Sequence, residues 1–105
     1  MENSDNIVLG GNIELSGFKE VDGSSLIIIK KIVGNYVKKI SEQNPDFEKL
    51  HLVMKEVHKT SNSEKYELNA NATIGGKIIS SEVIELNLFV AVDLVLKKLE
   101  SEILR

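Results

Sequence analysis

The hydrophobic repeat changes along the chain, and that change leaves few folds open. Over NIELSGF, residues 12–18, apolar side chains fall on every second residue, with Ile13 and Leu15 to one side and Glu14 to the other. Over 25–43 they recur at three- and four-residue steps, as Leu26, Ile29, Val33, Tyr36, Val37 and Ile40, which predicts a helix with one buried stripe. KLHLVMKEV returns to alternation, with Leu50, Leu52 and Met54 opposed to His51, Val53 and Lys55. KYELNANAT alternates again, with Tyr66, Leu68, Ala70 and Ala72 inward and Glu67, Asn69 and Asn71 outward. The polar link HKTSNSEK predicts that these two strands form a hairpin. IGGK marks a second tight turn, KIISSEV a fourth strand, and FVAVDLVLKKLESEIL, residues 89–104, a closing helix that buries Phe89, Val92, Leu96, Leu99 and Ile103.

The order β-α-β-β-β-α predicts an α+β fold: a four-stranded, mostly antiparallel sheet with two helices packed on one face. A length of 105 residues suits a single domain. Residues 1–11, rich in Asn, Ser, Asp and Gly, read as a flexible lead-in, and 12–105 as the folded unit. Ser24 or Ser25 is the expected cap of the first helix, Asn44-Pro45 its end, and Gly34 a point of close packing.

The absence of cysteine excludes disulfides, thiolate metal sites and a cysteine nucleophile. The two histidines, His51 and His58, are seven residues apart on or near a strand, too far for a shared metal, and the carboxylates are scattered. No metal site and no cofactor is therefore expected. The opening MENSDNIVLGG lacks the layout of a secretory signal, and no apolar run approaches the roughly 20 residues needed to span a bilayer. These features suggest a soluble, cytoplasmic chain with no membrane role. No group of residues suits acid–base catalysis, so neither an enzyme nor a small-molecule substrate is expected. Gly75-Gly76 reads as a hairpin turn rather than a phosphate loop. Asp93 and Lys97, four apart, read as a stabilising pair.

The net charge of −3 hides an uneven distribution. Between Asp22 and Glu42 the first helix carries Lys30, Lys31, Lys38 and Lys39 and no acid. Lys31 and Lys38 project within about 20° of one another at 100° per residue. The last helix adds Lys97, Lys98 and Arg105, while Lys55, His58, Lys59 and Lys65 surround the hairpin turn. With both helices on one sheet face, their lysines share an outer surface. A like-charge array forgoes helix ion pairs worth roughly 0.2–0.5 kcal/mol each. Against phosphates the same array releases condensed counterions, so the pattern points to a polyanion.

The run IISSEVIELNLFVAVDLVLKKLESEIL resembles the fourth strand and last helix of the ribosome hibernation promoting factor family, also called ribosome-associated inhibitor or sigma-modulation proteins. Phe89 falls at that family's aromatic position, Ala91 at a small one, Val92-Asp93 at its Ile-Asp pair and Lys98-Leu99-Glu100 at its Lys-Leu-Glu. In IKKIVGNYVKKI, Ile29, Val33, Val37 and Ile40 match its core positions, and KLHLVMKEV its second strand. Gly17 is followed by Phe18 and Lys19 where members often have Gly-Arg-Asn. The resemblance, over about residues 12–104, implies the β-α-β-β-β-α domain and a translation inhibitor in ribosome hibernation. Its partner would be the small ribosomal subunit and its rRNA, reached through Lys30, Lys31, Lys38, Lys39, Lys97 and Lys98, with Arg105, Lys55 and Lys59 as further basic contacts. A second reading has no RNA role: a homodimerisation module pairing through Ile28, Val90 and Leu94, which point away from the main stripes.

Overall fold

In the computed structural model, which describes residues 6–104, the helical stripe between residues 26 and 40 becomes the bridge of a parallel strand pair. Strand β2 (Ile13–Ser16) lies parallel to β3 (Phe47–Lys59), with Ile13 opposite Leu50 and Leu15 opposite Leu52. Parallel neighbours need a long crossover, and helix α1 (Gly23–Gln43) supplies it. The chain then runs antiparallel through β4 (Glu64–Ile74) and β5 (Lys77–Glu85) and ends in helix α2 (Leu88–Ile103).

The expected α+β class stands, but the sheet is five-stranded and mixed, in the order β1-β2-β3-β4-β5. The additional strand, β1 (Asn6–Leu9), lies within the expected lead-in and pairs antiparallel with β2. Gly10 and Gly11, at φ 59° and 81°, form the turn between them, a backbone that L side chains rarely adopt. Ile7 and Leu9 pack against the core, so these residues are held by the sheet. Residues 1–5 of that lead-in lie outside the described residues.

One core joins the sheet to both helices. Ile13, Leu15, Leu50, Leu52, Met54, Leu68, Ala70 and Ala72 line the inner face of the sheet. Ile29, Val33, Val37 and Ile40 of α1 meet them, together with Ala91, Val92, Val95, Leu96 and Leu99 of α2. The alternation read from β3 and β4 is the alternation observed, so both helices cover the same face. The small side chains Ala70, Ala72 and Ala91 are all fully buried, which suits close approach of α2 to the sheet. Ser81 is the buried polar residue of β5, and its hydroxyl donates to the Val95 carbonyl of α2 at 2.7 Å. That bond satisfies a group whose burial otherwise costs about 1–3 kcal/mol. Among the described residues, no helix is long and apolar enough to cross a membrane.

The local signals are met by slightly different residues. Asp22, not a serine, caps α1: its carboxylate accepts from the Ser25 backbone N–H at 3.0 Å and from the Ser24 hydroxyl at 2.8 Å. These donors hold its carboxyl below the usual range. Asn44 ends the helix as expected, with its side-chain amide donating to the Ile40 carbonyl. Gly34 is not a point of close packing, because a methyl group added there would meet nothing within 4 Å. Gly17 is the tight position instead. Its φ is +85°, an added methyl would collide with the Met54 carbonyl oxygen, and the next residue, Phe18, is fully buried. These two glycines therefore respond oppositely to alanine in urea unfolding. Gly17→Ala lowers stability by more than about 1 kcal/mol, while Gly34→Ala raises it by up to about 1 kcal/mol.

Candidate nucleic-acid interface

Two polar contacts cross the outer seam between the helices. The Tyr36 hydroxyl donates to Asp93 Oδ1 at 2.9 Å, and Lys39 Nζ stands 3.5 Å from Glu100 Oε2. The ties advance together along both helices, so α1 and α2 run parallel. Lys39 also lies over the Tyr36 ring, 5.0 Å from its centroid, a cation–π distance. Asp93 is thus engaged with Tyr36 rather than paired with Lys97, the partner that the i, i+4 spacing suggests.

The seam sorts the basic residues. Lys39 gives its charge to Glu100. Lys98 turns to the outer edge of the sheet, where its ammonium donates to the backbone carbonyl of Glu82 at 2.9 Å. β5 is an edge strand, so part of its backbone lacks a strand partner, and a lysine there also blunts the edge. Lys31, Lys38 and Lys97 are exposed and Lys30 is half-buried, and among the described residues none of these four enters an ion pair. Lys55 and Lys59 sit far along the β3–β4 hairpin, and Lys59 stands 3.5 Å from Glu64. Arg105 lies outside the described residues. The cationic surface is therefore narrower than the count of lysines suggests. It consists of the outer side of α1, which has no acid from Gly23 to Ser41, with Lys97 across the seam.

A second polar group was invisible in the sequence. On the open face of the sheet the Ser16 hydroxyl donates to Asn6 Oδ1 and lies 2.7 Å from His51 Nε2. Because the hydroxyl proton is committed to Asn6, His51 Nε2 acts as the donor. Glu14 stands 3.9 Å from the same nitrogen. A nucleophilic triad needs the base and the orienting carboxylate on opposite ring nitrogens, so this cluster is arranged as a strand-pairing contact. Only the parallel register, which sets Glu14 opposite His51, reveals it.

At the end where both helices begin, a cleft of about 390 Å³ is lined by Met54, Val57, Tyr66 and Phe89, with Glu20, Asp22 and Glu64 among its charged groups. Asp22 is engaged in capping, and Glu64 accepts from the Tyr66 hydroxyl at 2.9 Å, which pushes the Tyr66 pKa up. The unpaired helical lysines lie outside this cleft.

The fold is similar to a solved structure of a ribosomal subunit interface protein from Coxiella burnetii, with a TM-score of 0.55 and 15% sequence identity. The match covers 86% of this chain and 88% of that one. At this identity the likeness is one of fold. No family model matches the sequence, and no curated protein does.

The seam generates a pH dependence. Partial burial of Tyr36, followed by its bond to Asp93 and the nearby charge of Glu100, pushes its pKa up to about 12 from 10.0. The folded state therefore holds this proton more tightly than the unfolded chain. The resulting stabilisation is complete below pH 10.0 and is lost as pH rises toward about 12. Alkaline titration of tyrosinate absorbance, combined with unfolding curves, is expected to show stability falling across that window. Tyr36→Phe flattens the fall, and an unchanged slope in that variant counts against the assignment.

Proposed function

We propose that this chain associates with ribosomes, docking the outer side of α1 and the neighbouring turn of α2 on RNA of the small subunit. The observation that carries the reading is the set of unpaired lysines, Lys30, Lys31, Lys38 and Lys97, on the helical layer of a fold also found in a ribosomal subunit interface protein. An acid-free helix face gains little for folding, whereas each phosphate it neutralises releases counterion. Fixed lysines at spaced positions contact backbone phosphates, and such contacts position a protein without reading sequence. Recognition is then by the shape of folded RNA. The mechanism is occupation: a chain seated between the subunits excludes other ligands from the place it fills, as a hibernation-type translation inhibitor does.

Lys39 and Lys98 contribute less in this arrangement, because Glu100 and the β5 edge hold them. Lys55 and Lys59 are expected to lie outside the contact. Homodimerisation is the competing reading: of Ile28, Val90 and Leu94, the first two are exposed and favour it together with the exposed Ile27, while Leu94 is half-buried. A tight dimer by light scattering that hides Lys31 and Lys97 would replace the RNA reading.

The test is co-sedimentation with purified small subunits over a salt series. Co-migration is expected at low salt and disappears as salt rises. Lys31→Glu plus Lys38→Glu abolishes it at low salt. Neutralising these lysines one at a time lowers the slope of log affinity against log salt by about 1 for each phosphate that is no longer neutralised. Lys65→Glu plus Lys77→Glu, the same charge change placed on the hairpins, leaves co-migration intact. Binding that ignores salt, or that survives the Lys31/Lys38 double variant, overturns the reading.

A further inference from the structure

The β3–β4 hairpin carries a feature that RNA contact leaves unexplained. Register advances from Met54 opposite Leu68 to Glu56 opposite Glu67, so Lys55 is the extra residue of a β-bulge. Without the bulge, alternation would set Lys55 opposite Glu67 as a cross-strand ion pair. With it, two carboxylates face one another, an arrangement that is destabilising in a sheet. The bulge therefore exchanges a favourable pair for an unfavourable one.

His58 lies between the two acids. Its Nε2 is 3.0 Å from Glu67 Oε1 and 3.4 Å from Glu56 Oε2, and one donor atom from each of the three residues lies within 4.8 Å of the others. The carboxylates that look scattered in the sequence are thus gathered on a histidine. Zinc bonds to nitrogen and oxygen of about 2.0–2.2 Å imply donor separations of roughly 3.3–3.6 Å around a tetrahedral ion. The arrangement needs only small side-chain shifts to match. The other charged groups nearby are Lys65, the cross-strand partner of His58, and Lys55 on the bulge; neither is in an ion pair among the described residues.

We propose that Glu56, His58 and Glu67 form a binding site for a divalent cation of the zinc class, which clips β3 to β4. An imidazole with carboxylates suits zinc and its borderline neighbours, whereas magnesium and calcium favour all-oxygen sites. Three protein donors leave one tetrahedral position for water. The clip lies beyond the part of β3 that β2 supports, since β2 pairs only with Leu50–Val53. A cation there relieves the repulsion between the acids and braces the hairpin overhang.

The test is calorimetric titration of the full chain with zinc, and separately with magnesium. One zinc per chain is expected, with no magnesium binding at the same concentrations. His58→Ala and Glu67→Gln each weaken zinc binding at least tenfold, and Glu56→Gln gives a second exposed-site variant should either misfold. His51→Ala, beside Glu14 on another part of the sheet, leaves zinc binding unchanged, as does Lys31→Glu plus Lys38→Glu, so the outcome is independent of the RNA reading. Failure of the wild-type chain to bind zinc stoichiometrically, or equal loss in His51→Ala and His58→Ala, overturns the proposal.

Discussion

The parallel contact between Ile13–Ser16 and Leu50–Val53 sets the geometry of everything above it. Two strands that run the same way cannot be joined by a tight turn, so the chain must cross over the sheet, and the crossover is the amphipathic α1. β3, β4 and β5 then alternate in direction, which returns β5 to the direction of β3. A helix that leaves β5 and folds back over the same face must run parallel to α1. The helical layer follows from a register of only a few residues, backed by the full burial of Leu15, Leu50 and Leu52.

Parallel helices in contact determine which charges remain available. Their outer seam is closed by Tyr36 with Asp93 and by Lys39 with Glu100. These contacts remove Lys39 from the cationic set and bring acids to the centre of the layer. Lys98, one residue beyond Lys97, faces the β5 edge because a step of 100° carries it around the helix. The surface open to a polyanion is therefore carried mainly by one helix. Any affinity for a polyanion that rests on so few lysines changes with salt along a shallow slope, because the slope scales with the number of phosphates neutralised. A single charge change removes a large share of it.

The opposite face of the sheet is uncovered by helices and is chemically distinct. Ser16, His51 and Glu14 sit at the β2–β3 pair, and Glu56, His58 and Glu67 at the bulge further along β3. His51 meets Ser16 and Glu14 of the neighbouring β2, and His58 meets Glu67 of β4 and Glu56 of its own strand. One molecule thus separates a lysine-bearing helical side from a sheet side with histidine and carboxylate clusters. Both faces nevertheless carry charges of each sign, with Asp93 and Glu100 in the helical seam and Lys55 and Lys65 beside the bulge cluster.

The fold class, both helices and the inward faces of β3 and β4 were legible in the sequence because periodicity records local geometry directly. Leu50, Leu52 and Met54 must share a side of any strand, as must Ile29, Val33 and Val37 on any helix. β1 was not legible: four residues beside Gly10-Gly11 carry too little pattern to announce a strand before β2 is there to pair with them. The Asp22 cap, the diversion of Asp93 to Tyr36, and the fates of Lys39 and Lys98 depend on neighbours that spacing does not specify. The meeting of Glu56 with Glu67 requires a bulge, and one inserted residue changes every facing pair beyond it. Spacing along the chain carried the buried faces of β3, β4 and α1, because burial follows the repeat of a single helix or strand. In α2 it named the half-buried Phe89 and Ile103 but passed over the fully buried Ala91 and Val95. Which charges meet followed from packing alone, because it depends on the register and direction in which separate elements come together.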